Sequence, residues 1–200
     1  MFGIVQKRAG RAVAKAPKLH SIAAVMRGRN FAGKFDVGGV SYEFTFVPAK
    51  AAVVGRKLQL AGSLTVIDGR PIARISRHSL DNVQATLISS QGGIGTAPPR
   101  KTLPAEISAR TDLPVVESTG ALSFCGVLYF KLSPLDGRAL GVPAELNALQ
   151  LNVRIAPVNE AERNLQGVYS SIVDACLVAQ VDRHIASEQV KELNRLLATS

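Results

Sequence analysis

Two runs of alternating aromatic and polar residues meet at Gly38-Gly39, and no other stretch narrows the fold so far. Phe31-Ala32-Gly33-Lys34-Phe35-Asp36-Val37 precedes the glycine pair, and Val40-Ser41-Tyr42-Glu43-Phe44-Thr45-Phe46 follows it. Side chains alternate between the two faces of a strand, so each run has an apolar and a polar face. Two adjacent glycines supply the positive φ that a two-residue hairpin loop requires. Closing that loop pairs Val37 with Val40, Phe35 with Tyr42 and Phe31 with Phe46. These share one face with Phe44, while Lys34, Asp36, Ser41, Glu43 and Thr45 share the other. An aromatic stripe can act as a stacking platform for bases or sugars. The one-sided alternation assigns this one to a core.

Further strands are expected at 57–67, around 72–76, and at 82–89, 121–132 and 148–155. Asp68-Gly69-Arg70 and Asp136-Gly137-Arg138 end two of them, and Asp-Gly between apolar runs reads as a type I′ hairpin turn. The segments leading into those turns also correspond. Leu58, Leu60, Gly62, Leu64 and Val66 align with Leu122, Phe124, Gly126, Leu128 and Phe130. Two copies are too few for a solenoid. The period then changes to helical. Leu165, Val168, Tyr169, Ile172, Val173, Cys176 and Leu177 form a stripe over about 160–179, opened by Asn159-Glu160. A second helix is expected at 187–198, with Ser187 as N-cap and Val190, Leu193, Leu196 and Leu197 on its apolar side. Strands first and helices last predict an α+β fold. It is a mainly antiparallel, strongly bent sheet, sandwich or barrel, followed by two C-terminal helices.

The 200 residues suffice for one domain with its own core, and the 46% apolar share argues against global disorder. No run approaches the roughly 18 apolar residues of a membrane span. The longest candidate, Ser21 to Met26, is also too short for a secretory core, so a cytoplasmic protein is expected. Cys125 and Cys176 read as buried, reduced thiols. No CxxC, HxH or HExxH occurs, and neither metal nor cofactor is expected.

Charge divides the chain unevenly. The net charge is +9, yet Lys7, Arg8, Arg11, Lys15, Lys18, Arg27 and Arg29 all precede the first acid, Asp36. Without those seven the chain is nearly neutral. Residues 1–30 therefore read as a basic arm, and 31–200 as a single β-rich domain. Phe2, Val5, Ala9, Ala12, Val13 and Ala16 fall at helical spacing, so the arm can form an amphipathic helix up to Pro17. Three roles compete for it: binding a polyanion such as nucleic acid or an anionic membrane surface, serving as an import presequence, or packing on its own domain or a partner subunit.

Two local constellations invite chemistry. Arg77-His78-Ser79-Leu80-Asp81 holds imidazole, hydroxyl and carboxylate within a few residues, but a working triad is assembled in space rather than along a strand. Gly92, Gly93 and Gly95, followed by Arg100 and Lys101, resemble an anion-cradling loop, without the Gly-Lys-Ser/Thr ending of a P-loop. His20 and His184 have no nucleophile at motif spacing. The sequence thus predicts a non-catalytic binding or assembly domain whose basic arm engages a polyanion or a partner subunit, including a second copy of the chain. The alternative is a small-molecule carrier with an apolar cavity inside a β-barrel beside Phe35, Tyr42 and Phe44.

Overall fold

An odd number of strands joined as a meander cannot close antiparallel throughout, because the first and last run in the same direction. The computed structural model, which describes residues 16–69, 76–91, 126–177 and 183–198, is built on this constraint. Its strands are β1 (Ser21–Arg27), β2 (Asn30–Val37), β3 (Val40–Val54), β4 (Lys57–Asp68), β5 (Arg77–Gln91), β6 (Gly126–Leu132) and β7 (Gln150–Ile155). They follow one another in sequence order around a closed barrel. Neighbours are antiparallel except at the seam, where β1 pairs with β7 in parallel from Ser21↔Gln150 to Val25↔Arg154. Two helices follow, α1 (Glu160–Leu177) and α2 (Arg183–Ala198), giving the expected α+β architecture in its barrel form.

The Gly38-Gly39 hairpin closes in the register read from the sequence, with Phe31↔Phe46, Phe35↔Tyr42 and Val37↔Val40. Both glycines take positive φ, 59° and 78°. Two further hairpins use the same economy of two loop residues. Gly28-Arg29 joins β1 to β2 and Gly55-Arg56 joins β3 to β4, each with its glycine at positive φ. The Asp-Gly pairs behave differently from expectation. Neither Gly69 nor Gly137 takes a positive φ, so neither forms a type I′ turn. Asp68 closes a longer connection, its N–H donating to the Ser76 carbonyl. Asp136 instead folds a turn inside the connection from β6 to β7, accepting from the Arg138 N–H at 2.9 Å. What both glycines provide is close approach. A Cβ on Gly69 would lie 2.7 Å from the Ser41 carbonyl oxygen, and one on Gly137 would strike the Ala144 and Val142 carbonyls.

The boundary at residue 30 falls inside the β1–β2 hairpin, because β1 already occupies Ser21–Arg27 with Ile22, Ala24 and Met26 buried. The strand expected around 72–76 lies almost wholly outside the described residues, as do 121–125 of the strand placed at 121–132. Helix α1 begins where Asn159 caps it, with the Glu162 N–H donating to Asn159 Oδ1 at 2.8 Å. Its stripe packs inward as read: Leu165, Tyr169, Ile172, Val173 and Cys176 are buried. Helix α2 begins at Arg183, so Ser187 lies a turn inside it and does not cap it.

Aromatic side chains pack against one another inside the barrel. The Phe31 ring stacks on Phe46 at 6.0 Å and on Phe130 at 5.8 Å, and meets Tyr169 of α1 at 6.2 Å. Tyr169 enters from the end where the β1–β2 turn lies, here termed the upper end. It is fully buried, and its hydroxyl finds no hydrogen-bond partner among the described residues. Burial pushes its phenol pKa well above the ordinary tyrosine value. A phenol pKa raised by folding leaves stability untouched below about pH 10. Above that, where the unfolded phenol ionises, stability falls by about 1.4 kcal/mol per pH unit. Tyr169→Phe is expected to abolish this alkaline loss, and to leave stability near neutral pH unchanged or about 1 kcal/mol higher. Urea midpoints for both proteins near neutrality and at about pH 11 check this. A clear loss of stability at neutral pH would show that the hydroxyl is bonded after all.

Candidate functional site

The two ends of the barrel hold the sequence-predicted cations in different states. At the upper end, the β1–β2 turn is gripped by both helices. The Gly28 N–H donates to Glu162 Oε1 at 2.7 Å, and the Val158 N–H donates to Glu162 Oε2 at 2.9 Å. Glu162 is only 3% exposed, so its carboxylate serves the protein and not a ligand. Arg29 reaches across the same turn, and its Nη1 donates to the Leu197 carbonyl in the last turn of α2. A cation at that place satisfies an orphan carbonyl and the negative end of the helix dipole. Arg29 is therefore structural, and Arg27 beside it stays exposed.

At the lower end, residues 16–20 run along the connection that follows β6. The Glu145 N–H donates to the Pro17 carbonyl at 2.9 Å, and the Leu19 N–H donates to the Glu145 carbonyl at 3.2 Å. Lys18 Nζ lies 3.8 Å from Glu145 Oε2, with both side chains partly in solvent. Beside this root runs an open groove of about 890 Å³, walled by Ala16 and Pro17 on one side and by residues 134–138 and 142–147 on the other. Asp136, Arg138 and Glu145 give its rim mixed charge. Lys7, Arg8, Arg11 and Lys15 lie outside the described residues, and so do Gly92, Gly93, Gly95, Arg100 and Lys101 of the glycine loop. Of the seven arm cations, the described part of the structure thus places three: Lys18 and Arg29 engage residues distant in sequence, and Arg27 reaches the carbonyl of adjacent Met26 at 3.5 Å.

The local constellation at His78 is not brought together. His78 and Ser79 are successive residues of β5 and project to opposite sides of it. The imidazole packs where a Cβ on Gly141 would stand, 2.8 Å from Nε2, while Ser79 Oγ hydrogen-bonds Thr65 Oγ1 at 2.9 Å. Asp81 is exposed beside Asn82, whose φ of 57° marks the irregularity where β5 shifts register against β4. His20 is exposed on the strand-like entry segment. Cys176 is buried and free, and burial pushes its thiol pKa up, away from a reactive thiolate. Among the described residues no group of three His, Cys, Asp or Glu side chains could hold a metal ion. No helix among them is long and apolar enough to cross a membrane.

Comparison with known protein families, curated proteins and solved structures finds no match. Sequence reasoning missed Glu162, which looks like any acid in a first helical turn. It also missed the basic β3–β4 tip, for which a signal exists: no acid occurs between Glu43 and Asp68, while Lys50, Arg56 and Lys57 do.

Proposed function

We propose that the protein is a non-catalytic binding module, a closed β-barrel that carries a basic arm for engaging polyanionic phosphate. The observation that supports this reading is how charge is distributed along the sequence. Lys7, Arg8, Arg11 and Lys15 come before any acid in the sequence, whereas several cations of the body already have partners. Lys34 is paired with Glu43 at 2.6 Å, Lys191 with Glu188 at 2.7 Å, Arg195 with Glu192 at 2.5 Å, and Arg29 with a helix end. Lysine and arginine without interleaved aromatics give sequence-independent, salt-sensitive attraction. The carrier alternative gains nothing from its nominated residues. Phe35 stacks on Tyr42 at 5.3 Å and meets Phe44 at 6.0 Å, so the three rings pack against one another.

The fold also dictates how the arm must be tested. Deleting residues 1–30 would remove β1 and open the barrel, so the informative deletion is of residues 2–15. The shortened chain is expected to keep the far-ultraviolet circular dichroism and melting transition of the full chain. It should lose at least tenfold in affinity for duplex DNA at low salt, as the removal of four phosphate contacts implies. Equal DNA affinity of the two chains would sink the proposal. Anionic vesicles titrated alongside tell whether a membrane replaces nucleic acid as the preferred phosphate surface.

A further inference from the structure

The β3–β4 hairpin outgrows its neighbour β2. β2 accompanies β3 only from Val40 to Phe46, after which β3 continues to Val54 with β4 as its strand partner. An irregularity between Pro48 and Lys50 shifts the alternation of β3. Beyond it, Ala51 and Val53 oppose Leu60 and Leu58 on one face. Lys50, Ala52 and Val54 share the other face with Gln59 and Lys57. Ala51, Leu58 and Leu60 are buried, and α2 packs against β3. Asn194 of α2 replaces the missing strand neighbour. It accepts from the Ala51 N–H at 2.7 Å and donates to the Ala51 carbonyl at 2.9 Å. The hairpin is therefore a braced projection with one covered face and one open face.

Its open face has a distinct chemistry. Val54 is 58% exposed at the tip, and Lys50, Arg56 and Lys57 around it are exposed without an ion-pair partner among the described residues. The sequence from Phe44 to Ile67 contains no acid that could neutralise them. A lone exposed valine is ordinary on a protein surface. This one stands at the end of the braced hairpin, beside Gly55-Arg56 and directly opposite Lys57. Cations alone would suffice for a phosphate backbone, which offers nothing to an apolar side chain. A lipid interface rewards both.

We infer that the β3–β4 tip is a membrane-contact site, seating Val54 in the interface of an anionic bilayer while Lys50, Arg56 and Lys57 meet headgroup phosphates. The tip lies at the upper end of the barrel, whereas residues 16–20 lie at the lower end. Near an anionic surface each cation contributes roughly a fivefold gain in partitioning, and a seated valine contributes at least as much.

The test uses the full chain with vesicles of phosphatidylcholine alone and of phosphatidylcholine mixed with phosphatidylserine. Sedimentation with the mixed vesicles is expected to fall about fivefold for Lys57→Gln and by a similar factor for Val54→Asn, both at exposed positions that leave the core intact. The chain contains no tryptophan, so Val54→Trp places a single indole at the tip. Its emission should shift to the blue on mixed vesicles and stay unshifted with duplex DNA. Deleting residues 2–15 should leave the effect of Val54→Asn in place, which separates failure of this contact from failure of the arm. The inference is overturned if Val54→Asn sediments like the parent chain, or if the indole emission stays unmoved on vesicles that carry the protein down. It is equally overturned if Lys57→Gln weakens DNA binding while Val54→Asn alters neither ligand, since the tip would then be a nucleic-acid contact.

Discussion

Phe31→Ala is expected to lower stability by about 4 kcal/mol, within the range for removing a buried phenylalanine from a packed core. For a chain of this size that corresponds to a fall in melting temperature of about 8–16 °C. The ring is fully buried and contacts Phe46, Phe130 and Tyr169, which come from two other strands and a helix. No single neighbour can move into the vacated space without giving up its own packing. The hole therefore persists, adding to the lost transfer free energy. Phe31→Leu keeps most of the volume and should cost roughly half as much. Thermal unfolding followed by circular dichroism reads both. A loss below about 1 kcal/mol for Phe31→Ala would mean that the barrel is loosely filled, and would revive the carrier reading.

Glu162→Ala is the second large effect, expected at about 3 kcal/mol, because it strips two backbone N–H groups of a charged acceptor at once. One belongs to Gly28 in the β1–β2 turn and the other to Val158 before α1, so the substitution also loosens the docking of that turn on the helix. Glu162→Gln keeps the shape and one carbonyl oxygen, and should cost less than half as much. Chemical denaturation of the three proteins provides the comparison. If alanine and glutamine were equally mild, water would be replacing the carboxylate and the clamp would carry little stability.

What the sequence revealed, and what it withheld, follows from the range of the interactions involved. The Gly38-Gly39 register was legible because both strands and their loop lie within sixteen residues, from Phe31 to Phe46, and each rule involved is local. The stripes of α1 and α2 were legible for the same reason. β1 was not, although Ile22, Ala24 and Met26 do alternate inward. Ala23 and Val25 on the outer face are also apolar, which blurs the period of two. Its parallel partner, β7, lies more than a hundred residues downstream and leaves no local trace. The Asp-Gly pairs misled because a turn and a close approach demand the same residue, and only the carbonyls of Ser41 and Ala144 distinguish them. Arg29 read as a binding cation because its neighbours in sequence lack acids. Its carbonyl partner stands 168 residues away.

The acid-free start of the chain remains the feature on which the functional account depends, and its salt response is the most direct measure of it. Four cations, Lys7, Arg8, Arg11 and Lys15, predict that the logarithm of the DNA association constant falls with the logarithm of salt at a slope of about −3.6. Replacing those four by alanine in the full chain should bring the slope to about −1 or shallower. Fluorescence anisotropy with a labelled duplex across a salt series yields both slopes. A steep slope in the parent chain that collapses on substitution is the predicted result. An unchanged slope in the substituted chain would contradict the account, because the phosphate contacts would then lie on the barrel and not on the arm.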